Sequence, residues 1–216
     1  MKTQRTRYKH RQTVRRQPSS NYVNQLKKLY PLCKHDDKSQ TCEKYDGHDI
    51  VYGEMTYEGI ETLYTIVSKY GIPEYFLDVG SGRGKLCLFM ASKPNIVKSI
   101  GIELVTSRVD DAEKLKKSLI RSKFAKKCEF INSNIFDVSI SDKINGPAFV
   151  WFSNLCFDPS LTERIYSKLV DELPIGSIIC SSKIPENPPN GLKSLGVIQV
   201  GMSWNELSNV YMYQKQ

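Results

Sequence analysis

The chain has 216 residues, of which 40% are hydrophobic, and it carries a formal net charge of +8. These values exclude a wholly disordered chain and predict one folded domain with short additions. The sequence contains no signal-peptide pattern and no apolar run long enough to cross a bilayer, so we expect an intracellular protein without a membrane partner.

Residues 1–18 are strongly basic and contain no acidic residue. Because such a segment cannot bury enough apolar surface to fold alone, we predict a disordered basic arm. Its arginines predict contacts with nucleic-acid phosphates, and the alternative is a solubilising tail without a fixed partner. The candidate phosphate-binding residues are Arg5, Arg7, Lys9, Arg11, Arg15 and Arg16.

Residues 19–55 are predicted to form an extension that precedes the main domain. Apolar side chains recur at helical spacing between residues 22 and 30, and residues 31–50 are polar and irregular. This polar segment contains possible zinc ligands whose spacing matches no common zinc finger, so we predict a loop without a metal. These residues are Cys33, His35, Cys42 and His48.

Residues 56–216 alternate between strand and helix patterns, which predicts a parallel sheet with helices on both faces. The predicted strands are 75–79, 99–103, 128–131, 148–152 and 177–181. The predicted helices are 57–70, 85–92, 107–123 and 159–173. The last strand-like segments, 197–202 and 209–213, are joined by a short turn and must therefore pair antiparallel. This α/β pattern of seven strands resembles the Rossmann-like class I methyltransferase fold.

A glycine-rich loop, GSGRG, follows the first strand of this sheet. Glycine permits positive φ and close approach of a ligand, and ligands of such sheets bind outside the carboxyl ends of the strands. Asp78, at the strand end, is typical of S-adenosylmethionine sites. Lys85 stands where a dinucleotide fingerprint needs glycine or alanine, which disfavours a nicotinamide cofactor.

Glu103 closes the second strand, roughly twenty residues after the glycines. A carboxylate at that position suits the two hydroxyls of an adenosine ribose, and the alternative is a side chain that merely faces solvent. Asn134 and Ile135 follow the third strand and are predicted to contact the adenine, with an ordinary loop as the alternative.

The segment SNLCF ends the fourth strand and supplies candidate catalytic residues. A polar acceptor can orient an amine lone pair, and an apolar wall excludes water and keeps the amine neutral. Asn154 and Phe157 can supply both, although they could instead cap a turn and fill the core. A nucleic-acid amino-methyltransferase is the alternative enzyme, and it typically has two prolines where Leu155 and Cys156 stand.

Several segments resemble those of one family in order and spacing. They are VYGEMT (51–56), DVGSGRG (78–84), GIE (101–103), SNLCF (153–157), GSIICSSKIP (176–185), MSW (202–204) and VYMY (210–213). Together they resemble the disruptor-of-telomeric-silencing (Dot-one) histone lysine methyltransferases, which do not use the SET fold. The resemblance covers the chain from about residue 52 to its end.

The resemblance implies an S-adenosylmethionine-dependent enzyme that methylates a lysine of histone H3 in nucleosomes. It therefore implies a nuclear chromatin regulator, active as a monomer, whose arm binds DNA, and it leaves a ubiquitinated histone open as a further partner. The strand positions and the resemblance together give the candidate cofactor residues Tyr52, Glu54, Thr56, Asp78, Gly80, Ser81, Gly82, Gly84, Lys85, Glu103, Asn134 and Ile135. They give the candidate catalytic residues Ser153, Asn154, Phe157, Trp204 and Tyr211. The family usually has other residues at Lys85, Asn134, Ile135 and Ser153. Simple hairpin packing of Trp204 or Tyr211, and a chromatin-binding pseudoenzyme, are the alternatives.

Overall fold

The computed structural model describes residues 18–30, 53–119 and 121–216, with the backbone of two short strands between the first two ranges. These strands, Lys44–Tyr45 (β1) and His48–Asp49 (β2), pair antiparallel. The basic arm, Tyr52 and the side chains of the candidate zinc ligands lie outside the described residues. Within the described ranges, no group of three or more His, Cys, Asp or Glu side chains could hold a metal ion. None of the described helices has the length and apolar character needed to span a membrane.

A seven-stranded sheet forms the centre of the domain, in the order β5-β4-β3-β6-β7-β9-β8. The parallel strands are β3 (Tyr75–Val79), β4 (Lys98–Glu103), β5 (Cys128–Asn132), β6 (Ala148–Phe152) and β7 (Ile178–Ser181). The last two, β8 (Leu192–Val200) and β9 (Ser208–Lys215), form an antiparallel hairpin that joins the sheet through β7. This architecture confirms the predicted parallel sheet with an antiparallel ending.

Helices cover both faces of this sheet. They are α1 (Pro18–Leu29), α2 (Tyr57–Val67), α3 (Lys85–Met90), α4 (Thr106–Ser118) and α5 (Pro159–Glu172). In β6, Phe149 and Trp151 face the core beneath α1, α2 and α3, whereas Val150 and Phe152 face the core beneath α5. The strands are therefore buried on both sides, which explains their continuous apolar sequences.

Two elements differ from their predicted bounds by more than three residues. The helix predicted over 107–123 ends at Ser118. Leu119 and Phe124 are both buried in one core, yet on a continuous helix they would point about 140° apart, so the chain leaves the helix between them. β8 begins at Leu192 rather than at residue 197, because this edge strand is mostly exposed and lacks a clear apolar alternation.

The strand register aligns the carboxyl ends of β3, β4 and β6, where the candidate functional loops begin. Val79 pairs with Ile102 on one side and with Phe152 on the other. The glycine loop, Glu103 and Ser153 therefore start side by side at the carboxyl edge of the sheet. The predicted extension also reaches this edge, because Met55 forms an isolated antiparallel bridge with Met202.

Candidate cofactor and acceptor site

A cleft at the carboxyl edge of the sheet brings most of the predicted site residues together. Its lining includes Glu54, Asp78, Gly80, Ser81, Gly82, Lys85, Glu103, Asn134, Ile135, Ser153 and Phe157. Five other predicted residues that the structure describes contribute no surface to this cleft. They are Thr56, Gly84, Asn154, Trp204 and Tyr211.

The loop after β3 is held by backbone hydrogen bonds to the neighbouring strand. The N–H groups of Gly80 and Ser81 donate to the carbonyl oxygen of Ile102, at 2.8 and 3.1 Å. Gly80 has a φ of 80°, which disfavours any other residue, and a Cβ atom added there would meet no atom within 4 Å. Because Gly80 lines the cleft, glycine keeps this stretch of backbone open to a ligand.

Gly84 has a different role from the one the sequence predicted. A Cβ atom at this position would lie 2.5 Å from the Phe130 ring and 2.8 Å from the Ala112 side chain. The third glycine of the loop therefore allows the start of α3 to pack against α4 and β5. It supports the shape of the cleft without forming part of its surface.

Glu103 fixes the loop and retains capacity for a ligand. Its Oε2 accepts the Gly82 N–H at 2.8 Å, and its Oε1 accepts the Val105 N–H at 2.9 Å. Arg108, which sequence reasoning missed, also lines the cleft and lies 4.0 Å from Oε1. A carboxylate oxygen has more than one acceptor site, so both oxygens can accept further hydrogen bonds from a pair of hydroxyls.

Asp78 is a buried acid in the wall of the cleft. Burial raises the pKa of its carboxyl well above the usual range, and the nearby Glu103 carboxylate raises it further. A cation bound beside Asp78 would reverse this effect, because an opposite charge favours the ionised form. The site is therefore better suited to a ligand ammonium group than to a phosphate.

A buried ion pair lies at the edge of the cleft nearest α1. Lys85 Nζ donates to Glu54 Oε2 at 2.8 Å and to the Met55 carbonyl oxygen at 2.7 Å. The Tyr30 hydroxyl donates to the other oxygen of Glu54. The ammonium also lies 5.3 Å from the centre of the Tyr57 ring, a distance that favours a cation–π contact. The two charges thus join α1, α3 and the segment before α2.

The segment that carries Glu54 is bonded to the turn between β8 and β9. The Ser203 N–H donates to the Glu54 carbonyl oxygen at 2.7 Å, and the Glu54 N–H donates to Ser203 Oγ at 3.1 Å. The Trp204 ring packs directly against Gly53, where a Cβ atom would lie 2.2 Å from the ring. Thr56 accepts the Gly59 N–H and caps α2, which explains its absence from the cleft surface.

Ser153 and Asn154 face different surroundings at the end of β6. Ser153 lines the cleft, whereas Asn154 is completely buried. The Asn154 amide donates to the Lys183 carbonyl oxygen at 3.0 Å, and its oxygen accepts the Lys183 N–H at 2.8 Å. The amide therefore holds the loop after β7 and is already hydrogen-bonded on both sides. Of this pair, only Ser153 contributes surface to the cleft.

The three predicted channel aromatics do not meet at a common surface. Phe157 lines the cleft and lies 6.4 Å from Phe152, measured between ring centres. Tyr211 is in β9, where it pairs with Ser181 and Val197. Trp204 lies behind Gly53, which does line the cleft. In this structure, Phe157 alone among the three forms part of the cleft wall.

The cleft end beside β5 contains an aromatic residue that sequence reasoning missed. The Asn134 side chain accepts the Phe136 N–H at 3.1 Å and starts a short 3₁₀ turn. Arg164 of α5 stacks over Phe136, with its guanidinium carbon 4.2 Å from the ring centre. Both residues line the cleft beside Ile135. The aromatic directly after the Asn134–Ile135 pair was the available signal.

Comparison with known families agrees with the motifs found in the sequence. The family model described as histone methylation protein DOT1 matches residues 35–191, which is more than half of the chain. A Caenorhabditis elegans protein named histone-lysine N-methyltransferase, H3 lysine-79 specific, is 32% identical over 142 residues. That match covers 61% of this chain but 14% of the relative, so the chain spans a small part of the relative's length.

Solved structures with a similar fold include several methyltransferases. An RNA methyltransferase from Salinibacter ruber, in complex with S-adenosyl-L-homocysteine, is 18% identical with a TM-score of 0.54, covering 74% of this chain and 92% of its own. A putative methyltransferase from Escherichia coli is also 18% identical, with a TM-score of 0.57. The match covers 74% of this chain and 88% of the Escherichia coli chain. At this identity the likeness shows the fold alone, and it confirms the predicted class I methyltransferase architecture.

Proposed function

Because the chain belongs to the histone methylation protein DOT1 family, we propose that it is an S-adenosylmethionine-dependent enzyme that methylates a lysine of histone H3 in the nucleosome. The observation that carries this proposal is the arrangement of one cleft. Its lining joins the carboxylates of Asp78 and Glu103 to the hydroxyl of Ser153 and the ring of Phe157. A cofactor and an acceptor amine can therefore meet within the same enclosure.

The residues that line the cleft fit S-adenosylmethionine. The free acceptor sites on Glu103 suit the two ribose hydroxyls, and the buried carboxyl of Asp78 suits the ammonium group. Ile135 and Phe136 offer apolar surface for the adenine at the far end. The same carboxylates would repel a pyrophosphate, which argues against a dinucleotide. When bound, the cofactor supplies an electrophilic methyl group on a sulfonium sulfur.

The acceptor side of the cleft can prepare a lysine for methylation. Phe157, Trp151 and Ile165 contribute apolar lining, and an apolar environment lowers the pKa of a lysine ammonium. The Ser153 hydroxyl can accept a hydrogen bond from the amine and orient its lone pair. Solvent can take the ammonium proton beforehand, so the chain needs no strong general base. Positioning and exclusion of water then supply most of the acceleration.

We further propose that the enzyme acts in the nucleus, as a monomer, and that its basic arm binds nucleosomal DNA. The arm residues Arg5, Arg7, Lys9, Arg11, Arg15 and Arg16 supply the charge for this contact. Deleting residues 2–16 should weaken methylation of nucleosomes and leave cofactor affinity intact. A ubiquitinated nucleosome, compared with an unmodified one, tests whether that mark adds a further contact.

A methyl-transfer assay with competing substrates tests the proposed function. Radiolabelled S-adenosylmethionine is incubated with nucleosomes, free histone octamers and RNA, and label is followed in each product. We expect label in histone H3 and its loss in a Glu103→Ala variant. Calorimetric titration with the cofactor runs in parallel. Absence of cofactor binding would support a pseudoenzyme, and label in RNA without label in histone would refute the proposed substrate.

A further inference from the structure

A basic surface lies at the edge of the sheet opposite the cleft. Residues 114–127, from the last turns of α4 to the start of β5, contain seven lysines and arginines and no acidic residue. Five of these basic residues are exposed, and we refer to them as the α4 basic surface. They are Lys114, Lys117, Arg121, Lys123 and Lys126.

Most of this positive charge is not neutralised within the protein. Lys114 forms an exposed ion pair with Asp111 at 3.3 Å. The other four members have no carboxylate within 4.0 Å among the residues that the structure describes. Lys127 lies beside them, and burial together with Lys123 lowers the pKa of its ammonium. A polyanion bound here would relieve the repulsion between these cations.

Helix α1 connects the α4 basic surface to the cleft. Phe124, within the surface segment, packs against Tyr22 of α1 with ring centres 5.2 Å apart. The other end of α1 reaches the cleft, because Tyr30 contacts Glu54. The contact between α1 and the surface is therefore separated from the cleft end by about 12 Å, the rise of eight helical residues.

We propose that the α4 basic surface binds the phosphates of duplex DNA. This proposal rests on the proposed nucleosomal substrate. Single-stranded RNA fits less well, because its binding sites usually offer exposed aromatic rings for base stacking, and Phe124 is only 8% exposed. The separation from the cleft lets DNA occupy this surface while a histone lysine occupies the active site.

Charge-reversal variants test this surface directly. Arg121→Glu combined with Lys126→Glu changes the net charge by four units. Lys69→Glu combined with Lys193→Glu makes the same change at exposed positions elsewhere. Binding to a fluorescent DNA duplex is measured by anisotropy at several salt concentrations, without cofactor. We expect the surface variant to bind DNA about tenfold or more weakly, and the slope of log affinity against log salt to shrink by about one to two.

The control measurements separate this proposal from the proposed function. Cofactor affinity and the midpoint of thermal unfolding should stay unchanged in both variants, which shows that the fold is intact. Methylation of nucleosomes should fall in the surface variant, whereas methylation of free histone octamers should not. Equal losses of DNA affinity in both variants, or no loss in either, would refute the proposed DNA-binding surface. Neither result would affect the proposed methyltransferase activity. A larger loss for single-stranded RNA than for duplex DNA would identify RNA as the partner and refute the proposal.

Discussion

Replacing Lys85 with methionine should destabilise the protein strongly, because it removes the cation from a buried ion pair. The Lys85 and Glu54 side chains are 4% and 6% exposed, and their charged atoms lie 2.8 Å apart. At an effective dielectric constant of about 20, unit charges at that distance attract by about 6 kcal/mol, part of which offsets desolvation. Removing one partner of such a pair costs about 3–5 kcal/mol.

Urea denaturation of a double-mutant cycle measures this interaction. The variants are Lys85→Met, Glu54→Gln and their combination. The combined variant should regain part of the stability lost in Lys85→Met, because it no longer buries the Glu54 carboxylate without the Lys85 charge. Lys114→Met is the control: its pair with Asp111 is exposed, and its loss should cost no more than about 1 kcal/mol.

The outcome that refutes this reasoning is additivity. If the losses of the single variants sum to that of the combined variant within about 0.5 kcal/mol, the two charges do not depend on each other. A loss for Lys85→Met as small as that for Lys114→Met would likewise show that the buried site is hydrated in solution.

Three further predictions concern ligand binding. Cofactor binding should release a proton and tighten as pH rises, because burial and Glu103 raise the pKa of Asp78 and the cofactor ammonium favours the ionised carboxylate. Calorimetry in buffers of different ionisation enthalpy should detect the released proton. The Asp78→Asn variant should abolish this release. Glu103→Gln should weaken cofactor binding about tenfold or more, because a carboxamide has one acceptor oxygen where the carboxylate uses two. An unchanged dissociation constant would show that Glu103 does not bind the ribose hydroxyls. Asn154→Ala should raise the KM for nucleosomes without changing cofactor affinity, because the loop at Lys183 loses both of its hydrogen bonds to Asn154. A fall in kcat alone, measured by steady-state kinetics, would contradict this prediction.

The sequence predicted the sheet well, and it predicted that Asp78, the glycine loop and Glu103 meet at its carboxyl edge, because both depend on local patterns. An apolar strand that ends at Asp78 and a glycine loop, followed by a strand that ends at Glu103, determine which side chains reach the carboxyl edge. The strand register then aligns them without any further information. Predicting these features requires only the alternation of strands and helices and the general rule for where ligands bind in such sheets.

The roles that sequence reasoning could not assign depend on partners far away in the chain. Asn154 was predicted to contact substrate, but its amide bonds to Lys183 in the loop after the next strand. Gly84 was predicted to contact the cofactor, but Phe130 and Ala112 determine the need for glycine there. The ion pair of Lys85 joins residues 31 positions apart. Such pairings become visible only when the tertiary structure is known.

The hydrogen bonds between Glu54 and Ser203 connect the cleft to the terminal hairpin. Glu54 lines the cleft, and Ser203 lies in the turn between β8 and β9 of the terminal hairpin. A ligand that orders the hairpin turn must therefore also order the segment that carries Glu54. Under the proposed function, a substrate that contacts this turn would raise affinity for the methyl donor. By thermodynamic linkage, the donor would then tighten substrate binding by the same factor.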